Sequence, residues 1–201
     1  MHKLIMSLRD LLTMPRSFHV IRGMLDYGQA GCLRRVLDGI PHANVLDVGC
    51  GTGELSVMTD ADYLGFDIDP GYIRYAKERF GAPNRHFMVG DVFNLPPESA
   101  GRGLATVVNV IHHFSDDEVL RILAGLKAAG IGRVLVVDVA SEKMAMPLRT
   151  VLFPLDRGAY FRDSAEQRRL LGRDGWSVEM EGGYKSGICP HSVLLAVFKA
   201  N

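Results

Sequence analysis

The sequence predicts an α/β protein with a doubly wound, mostly parallel sheet of seven strands and helices on both faces. Two observations lead to this prediction. From residue 44 onward, short runs rich in valine, leucine and isoleucine are apolar almost throughout, as expected of strands covered on both faces. Segments with the spacing of amphipathic helices separate the first five runs, and such alternation requires right-handed crossovers between parallel strands.

Helical patterns come before the first strand. Pro15 ends the first pattern, and an interruption at residues 28–31 separates the second from the third. We expect residues 1–40 to form a helical cap that belongs to the same domain as the core of residues 41–201. The apolar stripes are Leu4, Ile5, Leu8, Leu11 and Leu12, then Phe18, Ile21, Met24 and Leu25, and finally Leu33, Val36 and Leu37.

The core alternates strands with helices. The first five strand runs are NVLDVG, YLGFD, HFMVG, ATVVNVI and RVLVVDV. Between them, the pattern predicts a short helix from Glu54, a helix over 70–80 and a helix over 116–129. The segment SDDE, residues 115–118, has a capping-box pattern with acidic residues in the first helical turn, so we interpret its acidic pair as structural.

The pattern changes after the fifth strand. Residues 141–162 are rich in methionine, proline, arginine and aromatic residues, and a helix is predicted from about Ala165. The last two apolar runs, WSVEMEG and HSVLLAVFK, are joined by about eight residues, too few for the crossover that parallel strands need. We therefore expect an antiparallel hairpin at one edge of the sheet, with an antiparallel last strand.

A glycine-rich loop follows the first strand in the segment VLDVGCGTGEL. Gly49, Gly51 and Gly53 permit a tight turn and close approach of a ligand, and the helix expected after them would present N–H groups to a negative charge. The dinucleotide fingerprint GxGxxG fails, because its third glycine is replaced by Glu54 or, in the other register, by Ser56. The Walker A sequence GK[ST] is also absent, so a zwitterionic ligand with a carboxylate fits this loop better than a pyrophosphate.

Four ordered segments resemble motifs of the class I S-adenosylmethionine-dependent methyltransferases. DVGCGTG, residues 47–53, resembles the family's motif I. YLGFDIDP, VGDVFNLP and VVNVIHHFSD resemble the segments around its second, third and fourth strands, in the same order and at similar spacing. The resemblance covers about residues 44–140 and is more specific than a glycine loop alone. It implies a Rossmann-like fold with S-adenosyl-L-methionine as the cofactor.

The resemblance also implies a set of cofactor-binding residues. Asp67, at the carboxyl end of the second strand, would accept hydrogen bonds from both ribose hydroxyls. Asp91 would accept from the adenine amino group, and Ile68 and Val92 would flank the adenine ring. Asn109, which ends the fourth strand, would contact the cofactor's amino group. The full predicted set is Asp47, Gly49, Cys50, Gly51, Gly53, Asp67, Ile68, Asp91, Val92 and Asn109.

Some residues in this set have alternative roles. Asp67 could instead cap the helix that follows it, although Asp69 fits that position better. Asp91 could serve only as a turn carboxylate. Asp47 is expected either to order the glycine loop or to meet the ligand's amino group. Cys50 is expected to pack with its small side chain rather than to act as a nucleophile.

His112 and His113 are the candidate catalytic residues. If the fourth strand continues through them, their side chains point to opposite faces and cannot share a metal ion, so no metal site is predicted. In the resemblance, this segment borders the methyl group that is transferred. Either histidine could then be a general base that removes the acceptor's proton, or a wall residue that contacts the substrate.

The segments outside the motifs are expected to cover the site, with residues 141–162 as a substrate lid. Arg157, Tyr160 and Arg162 in DRGAYFRD could recognise an acidic group of an acceptor, but a solvated loop is the favoured interpretation. Because the lid is short, a second subunit could complete the site. The oligomeric state stays open, and a homodimer is one possibility.

Composition disfavours several classes of partner. Lysine plus arginine and aspartate plus glutamate number 23 each, so the chain lacks the net positive charge typical of nucleic-acid-binding proteins. No apolar run is long enough to span a membrane. Cys32, Cys50 and Cys189 form no CxxC pair, which favours reduced thiols and a cytoplasmic protein.

The predicted function is transfer of a methyl group from S-adenosylmethionine to a small-molecule acceptor by in-line displacement. The acceptor class follows by elimination, because NVIH differs from the NPPY-type signature of nucleic-acid amino methyltransferases. Two alternatives stay open. One is a non-catalytic, cofactor-binding partner subunit; the other, disfavoured by the failed GxGxxG pattern, is a nicotinamide-dependent oxidoreductase.

Overall fold

The structure is a computed structural model that describes residues 28–156 and 158–199. The two helices predicted before residue 28, and with them most of the expected cap, lie outside the described residues, as does Arg157. The third predicted helix is present as α1, Gln29–Asp38. Leu33 and Leu37 of its apolar stripe are buried against the sheet.

Seven strands form one sheet, which confirms the predicted fold class. The spatial order is β3-β2-β1-β4-β5-β7-β6, and β1 to β5 are parallel. β7 runs antiparallel to β5 and forms an antiparallel hairpin with β6, as predicted for this edge. The strands are β1 (Asn44–Val48), β2 (Asp62–Asp67), β3 (Arg85–Val89), β4 (Leu104–Val108), β5 (Arg133–Val139), β6 (Trp176–Ser186) and β7 (Cys189–Phe198).

The closing hairpin is longer than the sequence pattern indicated. Most residues expected in its loop belong to strands, and pairing continues to Ser186 opposite Cys189. β6 is the outer strand of the described sheet, and its pairing with β7 is interrupted by a bulge between Val178 and Met180.

Four further helices follow α1 in the described part of the chain. They are α2 (Pro70–Phe80), α3 (Asp116–Ala128), α4 (Met146–Leu155) and α5 (Ser164–Leu171). The predictions for α2, α3 and α5 are confirmed at their boundaries to about one residue. No helix among the described residues combines the length and the apolar character needed to cross a bilayer.

The short helix predicted after the glycine loop is wrong in type. Glu54–Val57 forms a single 3-10 turn, and the Ser56 hydroxyl donates to the Gly53 carbonyl at 2.6 Å. Such a local side-chain bond competes with helical backbone bonding. The loop therefore lacks the α-helix N-terminus expected to present N–H groups to a ligand.

The sheet is covered on both faces and has two apolar cores. Because alternate residues of a strand point to opposite sides, Val45 packs with residues of α1 and α2, whereas Leu46 packs with residues of α3 and α5. Leu104 and Ala105 of β4 divide in the same way. This double coverage explains why the central strand runs are apolar throughout rather than alternating.

Side-chain caps fix where α2 and α3 begin. Asp69 accepts hydrogen bonds from the N–H groups of Gly71 and Tyr72, at 2.7 and 3.3 Å. At α3, the Ser115 hydroxyl accepts from the N–H of Glu118, and the Glu118 carboxylate accepts from the N–H of Ser115 at 2.8 Å. The predicted Asp69 cap and the predicted capping box are both confirmed.

Replacing Ser115 by alanine should lower the free energy of unfolding by about 1 kcal/mol, because the N–H of Glu118 loses its cap. In a domain of this size the melting temperature should then fall by roughly 2–4 °C. Thermal unfolding followed by circular dichroism measures the change. Ser115→Asp restores a capping oxygen and should recover most of it, whereas an unchanged Ser115→Ala protein would mean that packing alone holds α3.

Candidate functional site

The predicted glycine loop follows β1, at the end of the sheet where the carboxyl ends of the parallel strands lie. Gly49, Gly51 and Gly53 have φ values of 70°, 54° and 86°, which are left-handed conformations that glycine adopts without strain. A Cβ atom on Gly49 would lie 2.9 Å from the Val110 side chain, and one on Gly53 would lie 2.8 Å from the ring of Phe87. At these two positions glycine is required by packing as well as by conformation.

The Asp67 carboxylate holds this loop in place. It accepts hydrogen bonds from the N–H of Gly51 and from the N–H of Asp69, both at 2.9 Å. Asp69 caps α2 instead, so the alternative role of Asp67 as the helix cap is not realised. A carboxylate has about four lone-pair positions, so Asp67 retains the capacity to accept from a ligand.

Asp47 lies below the loop, inside the sheet. Its buried carboxylate accepts hydrogen bonds from the Tyr63 hydroxyl at 2.5 Å and from the Thr106 hydroxyl at 2.8 Å. The Tyr63 side chain passes over Gly65, two residues further along β2, where a Cβ would lie 2.8 Å from the Tyr63 hydroxyl. These two contacts connect the end of β1 to β2 and β4 rather than to the glycine loop, and the role of Asp47 toward the loop or the ligand stays a prediction.

Cys50 is a residue of the glycine loop, and its side chain is buried in the core. Burial, together with the nearby charge of Asp47, raises the pKa of its thiol well above the ordinary value. A neutral, packed thiol agrees with the expectation that Cys50 is no nucleophile.

Apolar side chains lie exposed at the ends of β2 and β3. Ile68 is 72% exposed and Val89 is 54% exposed, whereas Val92 is partly buried against the core. Val89 is a surface residue that the sequence pattern did not single out.

Asp91 begins the turn of residues 91–94 that follows β3, and one of its carboxylate oxygens accepts from the N–H of Phe93 at 2.9 Å. The turn role of Asp91 is thus realised, and its other carboxylate oxygen has a long contact of 3.5 Å with Nδ2 of Asn94.

Asn109 ends β4 in an unusual conformation. Its φ is 55°, in the left-handed region that asparagine tolerates better than most residues, and its N–H donates to the Val137 carbonyl at 2.7 Å. Its side-chain Oδ1 is buried and accepts no hydrogen bond from the described residues. Because buried polar atoms nearly always have a partner, this oxygen fits a ligand that donates a hydrogen bond.

The histidine pair lies on a 3-10 turn, Ile111–His113, and not on a strand. The turn at Asn109 ends β4 at Val108, so the premise that the two rings point to opposite faces is wrong. The ring centroids of His112 and His113 are 4.2 Å apart. His112 is 5% exposed, whereas His113 is exposed to solvent.

Two carboxylates lie at the two nitrogens of the His112 ring. Nδ1 is 2.6 Å from Oδ1 of Asp138, at the end of β5, and Nε2 is 3.4 Å from Oδ1 of Asp156, just after α4. Asp138 also accepts from the N–H of His112 at 3.2 Å. With both ring nitrogens engaged, His112 has no nitrogen left to accept an acceptor's proton.

The charges in this cluster stabilise one another. Burial alone would lower the pKa of His112, but the charges and hydrogen bonds of Asp138 and Asp156 outweigh it and raise the pKa to about 10. Burial alone would raise the pKa of both carboxyls, but the His112 charge and hydrogen bonds hold the pKa of Asp138 below its ordinary value and that of Asp156 at about 2. The cluster therefore contains an imidazolium between two carboxylates.

The chain after α4 is bound to the histidine turn by backbone groups and stacked rings. The His112 carbonyl accepts from the N–H groups of Ala159 and Tyr160, at 3.0 and 2.9 Å. The Phe161 ring stacks on His112 with centroids 5.1 Å apart, and Phe153 of α4 stacks on Phe161 in turn. The predicted lid segment and the predicted catalytic segment thus form one structural unit.

Arg162 is a structural residue, so its interpretation as part of a solvated loop is wrong. It is 8% exposed and donates to the carbonyls of Ile111 and Phe114, at 2.9 and 2.7 Å. Its guanidinium also donates to the Asp116 carboxylate at 2.8 Å. These bonds fasten both ends of the histidine turn.

The two carboxylates that flank His112 were not among the residues predicted from the sequence. Asp138 stands within the otherwise apolar run RVLVVDV, and a charged residue in a strand covered on both faces needs a partner. That position was a usable signal. Asp156 gave none, because its contact with His112 depends on how α4 packs.

Comparisons with known proteins find a methyltransferase domain in this chain. Residues 45–130 match the family model described as a methyltransferase domain. A probable tRNA methyltransferase 9B from Mus musculus is 30% identical over 142 residues, which are 67% of this chain and 31% of that protein. A malonyl-[acyl-carrier protein] O-methyltransferase from Acetivibrio thermocellus is 41% identical over 61 residues, 28% of this chain and 22% of that protein. The chain thus spans less than a third of either curated relative.

A solved structure shares the fold over most of its length. Magnesium protoporphyrin IX methyltransferase from Synechocystis PCC 6803 with bound SAH superposes with a TM-score of 0.66 at 23% identity, covering 85% of this chain and 82% of that one. The family model covers the glycine loop, Asp67, Asp91, Asn109 and the histidine turn, which are the segments that carry the resemblance. The chain therefore contains a methyltransferase domain over residues 45–130, within a fold that it shares with this methyltransferase structure.

Proposed function

We propose that the protein binds S-adenosylmethionine and transfers its methyl group to a small-molecule acceptor. The observation that carries this proposal is that three features lie together at the carboxyl ends of the parallel strands. These are the left-handed glycine loop, the half-buried carboxylate of Asp67 and the unpaired, buried Oδ1 of Asn109. A charged amino-acid moiety, a ribose and an adenine require this combination of backbone, carboxylate and amide groups.

Each predicted residue then has a specific role toward the cofactor. Asp67 accepts from the ribose hydroxyls, Asn109 accepts from the ammonium group, and Ile68 and Val92 flank the adenine ring. Asp91 uses its second carboxylate oxygen for the adenine amino group. The remaining predicted residues shape the loop around the methionine moiety: Asp47, Gly49, Cys50, Gly51 and Gly53.

When bound, S-adenosylmethionine supplies a methyl group on a sulfonium, which a nucleophile removes by in-line displacement. The chain's own contribution is to hold the acceptor in line and to exclude water. We assign His112 a positioning role, because its nitrogens are engaged by Asp138 and Asp156. Exposed His113 lies on the acceptor side, and residues 141–162 act as the lid.

A small acceptor is supported by the balanced charge of the chain and by two of its relatives. Those relatives are a malonyl-[acyl-carrier protein] O-methyltransferase and a magnesium protoporphyrin IX methyltransferase. The three cysteines form no disulfide, which fits a reducing, cytoplasmic setting.

Calorimetric titration of the purified protein with S-adenosylmethionine, S-adenosylhomocysteine and NADH tests the proposal. We expect saturable binding of the first two at micromolar concentrations and no binding of NADH. Binding of NADH alone would replace this function with an oxidoreductase. Cofactor binding without a methylated product from any acceptor pool would identify a non-catalytic partner subunit.

A further inference from the structure

We propose that His112, His113 and Asp156 form a binding site for one divalent transition-metal ion. Metal binding by these residues is independent of the proposed methyl transfer. Only the role assigned to the ion below rests on that function. The site contradicts the expectation of no metal, which depended on a strand that the structure replaces with a turn.

The donor atoms of the three residues already converge. One ligand atom from each lies within 4.8 Å of the other two. A tetrahedral ion with typical bond lengths holds neighbouring donors about 3.3 Å apart. Nε2 of His112 and Oδ1 of Asp156 are separated by 3.4 Å. An ion therefore requires a closing movement of His113, whose side chain is exposed.

Supporting contacts orient two of the three ligands, His112 and Asp156. Nδ1 of His112 bonds to Asp138 at 2.6 Å, leaving Nε2 directed at the site, and a carboxylate behind a histidine is the usual support for a metal-binding imidazole. Phe161 stacks on the same ring. On the other side, Asp156 accepts from the N–H of Gly158 at 2.6 Å. These contacts pre-position a nitrogen and an oxygen donor before any ion arrives.

Charge and donor type indicate the class of ion. A bound divalent ion takes the place of the proton on Nε2 of His112, which leaves to solvent, and its two positive charges then balance the carboxylates of Asp138 and Asp156. Two imidazoles with one carboxylate suit zinc and its first-row neighbours, whereas magnesium and calcium prefer oxygen ligands. His113 and Asp156 are partly exposed, so a fourth position is open to an exchangeable ligand.

The open position suggests what the ion does. If the protein transfers methyl groups as proposed, the ion lies on the acceptor side and binds an acceptor oxygen. A Lewis acid there would lower the pKa of a bound hydroxyl, so its proton could leave to solvent water and no side-chain base would be needed. The acceptor class would then be molecules with a hydroxyl or carboxyl oxygen available to a metal.

The test uses the full chain without a polyhistidine tag, freed of metal by a chelator. Titration with Co²⁺ followed by visible absorption, and with Zn²⁺ followed by calorimetry, should give one site per chain. His113→Asn and Asp156→Asn should each weaken binding by about 10- to 100-fold or more, and Asp138→Asn should weaken it by about 10-fold or more. His86→Asn and Asp60→Asn, at exposed positions elsewhere, should bind like the original chain.

Two results would overturn the site: no stoichiometric binding of either ion, or equal binding by the His113 and Asp156 variants and the original chain. Both residues are partly exposed, so their variants should fold even if Asp138→Asn does not, and circular dichroism checks this. Cofactor titration is a separate measurement. A chain that binds S-adenosylmethionine but no metal refutes this inference alone, and one that binds metal but no cofactor refutes the proposed function alone.

Discussion

Replacing Asp138 by alanine is expected to lower the free energy of unfolding by about 3–5 kcal/mol. Asp138 is fully buried, and its partner His112 is buried with it. Removal of Asp138 leaves the buried charge of His112 with only the partly exposed Asp156, 3.4 Å from Nε2, to balance it. The change also removes the acceptor for the N–H groups of His112 and Val139, which bond to the Asp138 carboxylate at 3.2 and 2.7 Å.

Urea unfolding in the presence of a chelator measures this effect without any contribution from metal. Asp138→Asn keeps an acceptor oxygen and should lose less stability than Asp138→Ala. The exposed Asp117→Ala should change stability by no more than about 0.5 kcal/mol. Combining Asp138→Ala with His112→Ala should cost less than the sum of the two single changes, by about 0.5–3 kcal/mol. Strict additivity would mean that the pair contributes no coupling.

Replacing Asp67 by alanine is expected to weaken S-adenosylmethionine binding by roughly 10- to 100-fold. Hydrogen bonds to a charged group contribute about 1.5–3 kcal/mol, which corresponds to this range of dissociation constants. Asp67 also anchors the N–H of Gly51 at 2.9 Å, so its loss loosens the glycine loop as well as removing ribose contacts. Both consequences act in the same direction.

Calorimetry with Asp67→Ala and a matched control measures the change. Asp69→Ala removes a carboxylate two residues away that caps α2. It should lower stability by about 1 kcal/mol while leaving cofactor affinity close to that of the original chain. An Asp67→Ala protein with an unchanged dissociation constant would refute the ribose assignment. An equal loss of cofactor affinity in both variants would show that the loss comes from general disturbance of the chain after β2 and not from ribose contacts of Asp67.

Features with a local physical cause were predictable from the sequence. The capping box at Ser115 lies within four residues, and the Asp69 cap lies beside the helix that it begins. The strand runs were recognisable because both faces of the sheet are buried. The glycine loop was also recognisable, because its left-handed residues need glycine. These signals located the strands and helices in their order along the chain, and the end of the sheet where the cofactor is proposed to bind.

Features that depend on distant contacts were not predictable. Asn109 looked like a strand residue, and only its left-handed conformation in the folded chain ends β4 and creates the histidine turn. The pairing of His112 with Asp138 spans 26 positions, and the bond from Arg162 to Ile111 spans 51. Because arginine is usually exposed, Arg162 was predicted to lie in a solvated loop, whereas tertiary packing buries it.

The bulged outer strand β6 has a consequence for aggregation. An outer strand offers unpaired backbone groups to other chains, and a bulge together with charged side chains discourages such pairing. β6 combines its bulge at Val178 and Met180 with Glu179, Glu181 and Lys185. Extension of the sheet from one molecule into the next is therefore disfavoured along this edge, and self-association through an enlarged common sheet is disfavoured with it.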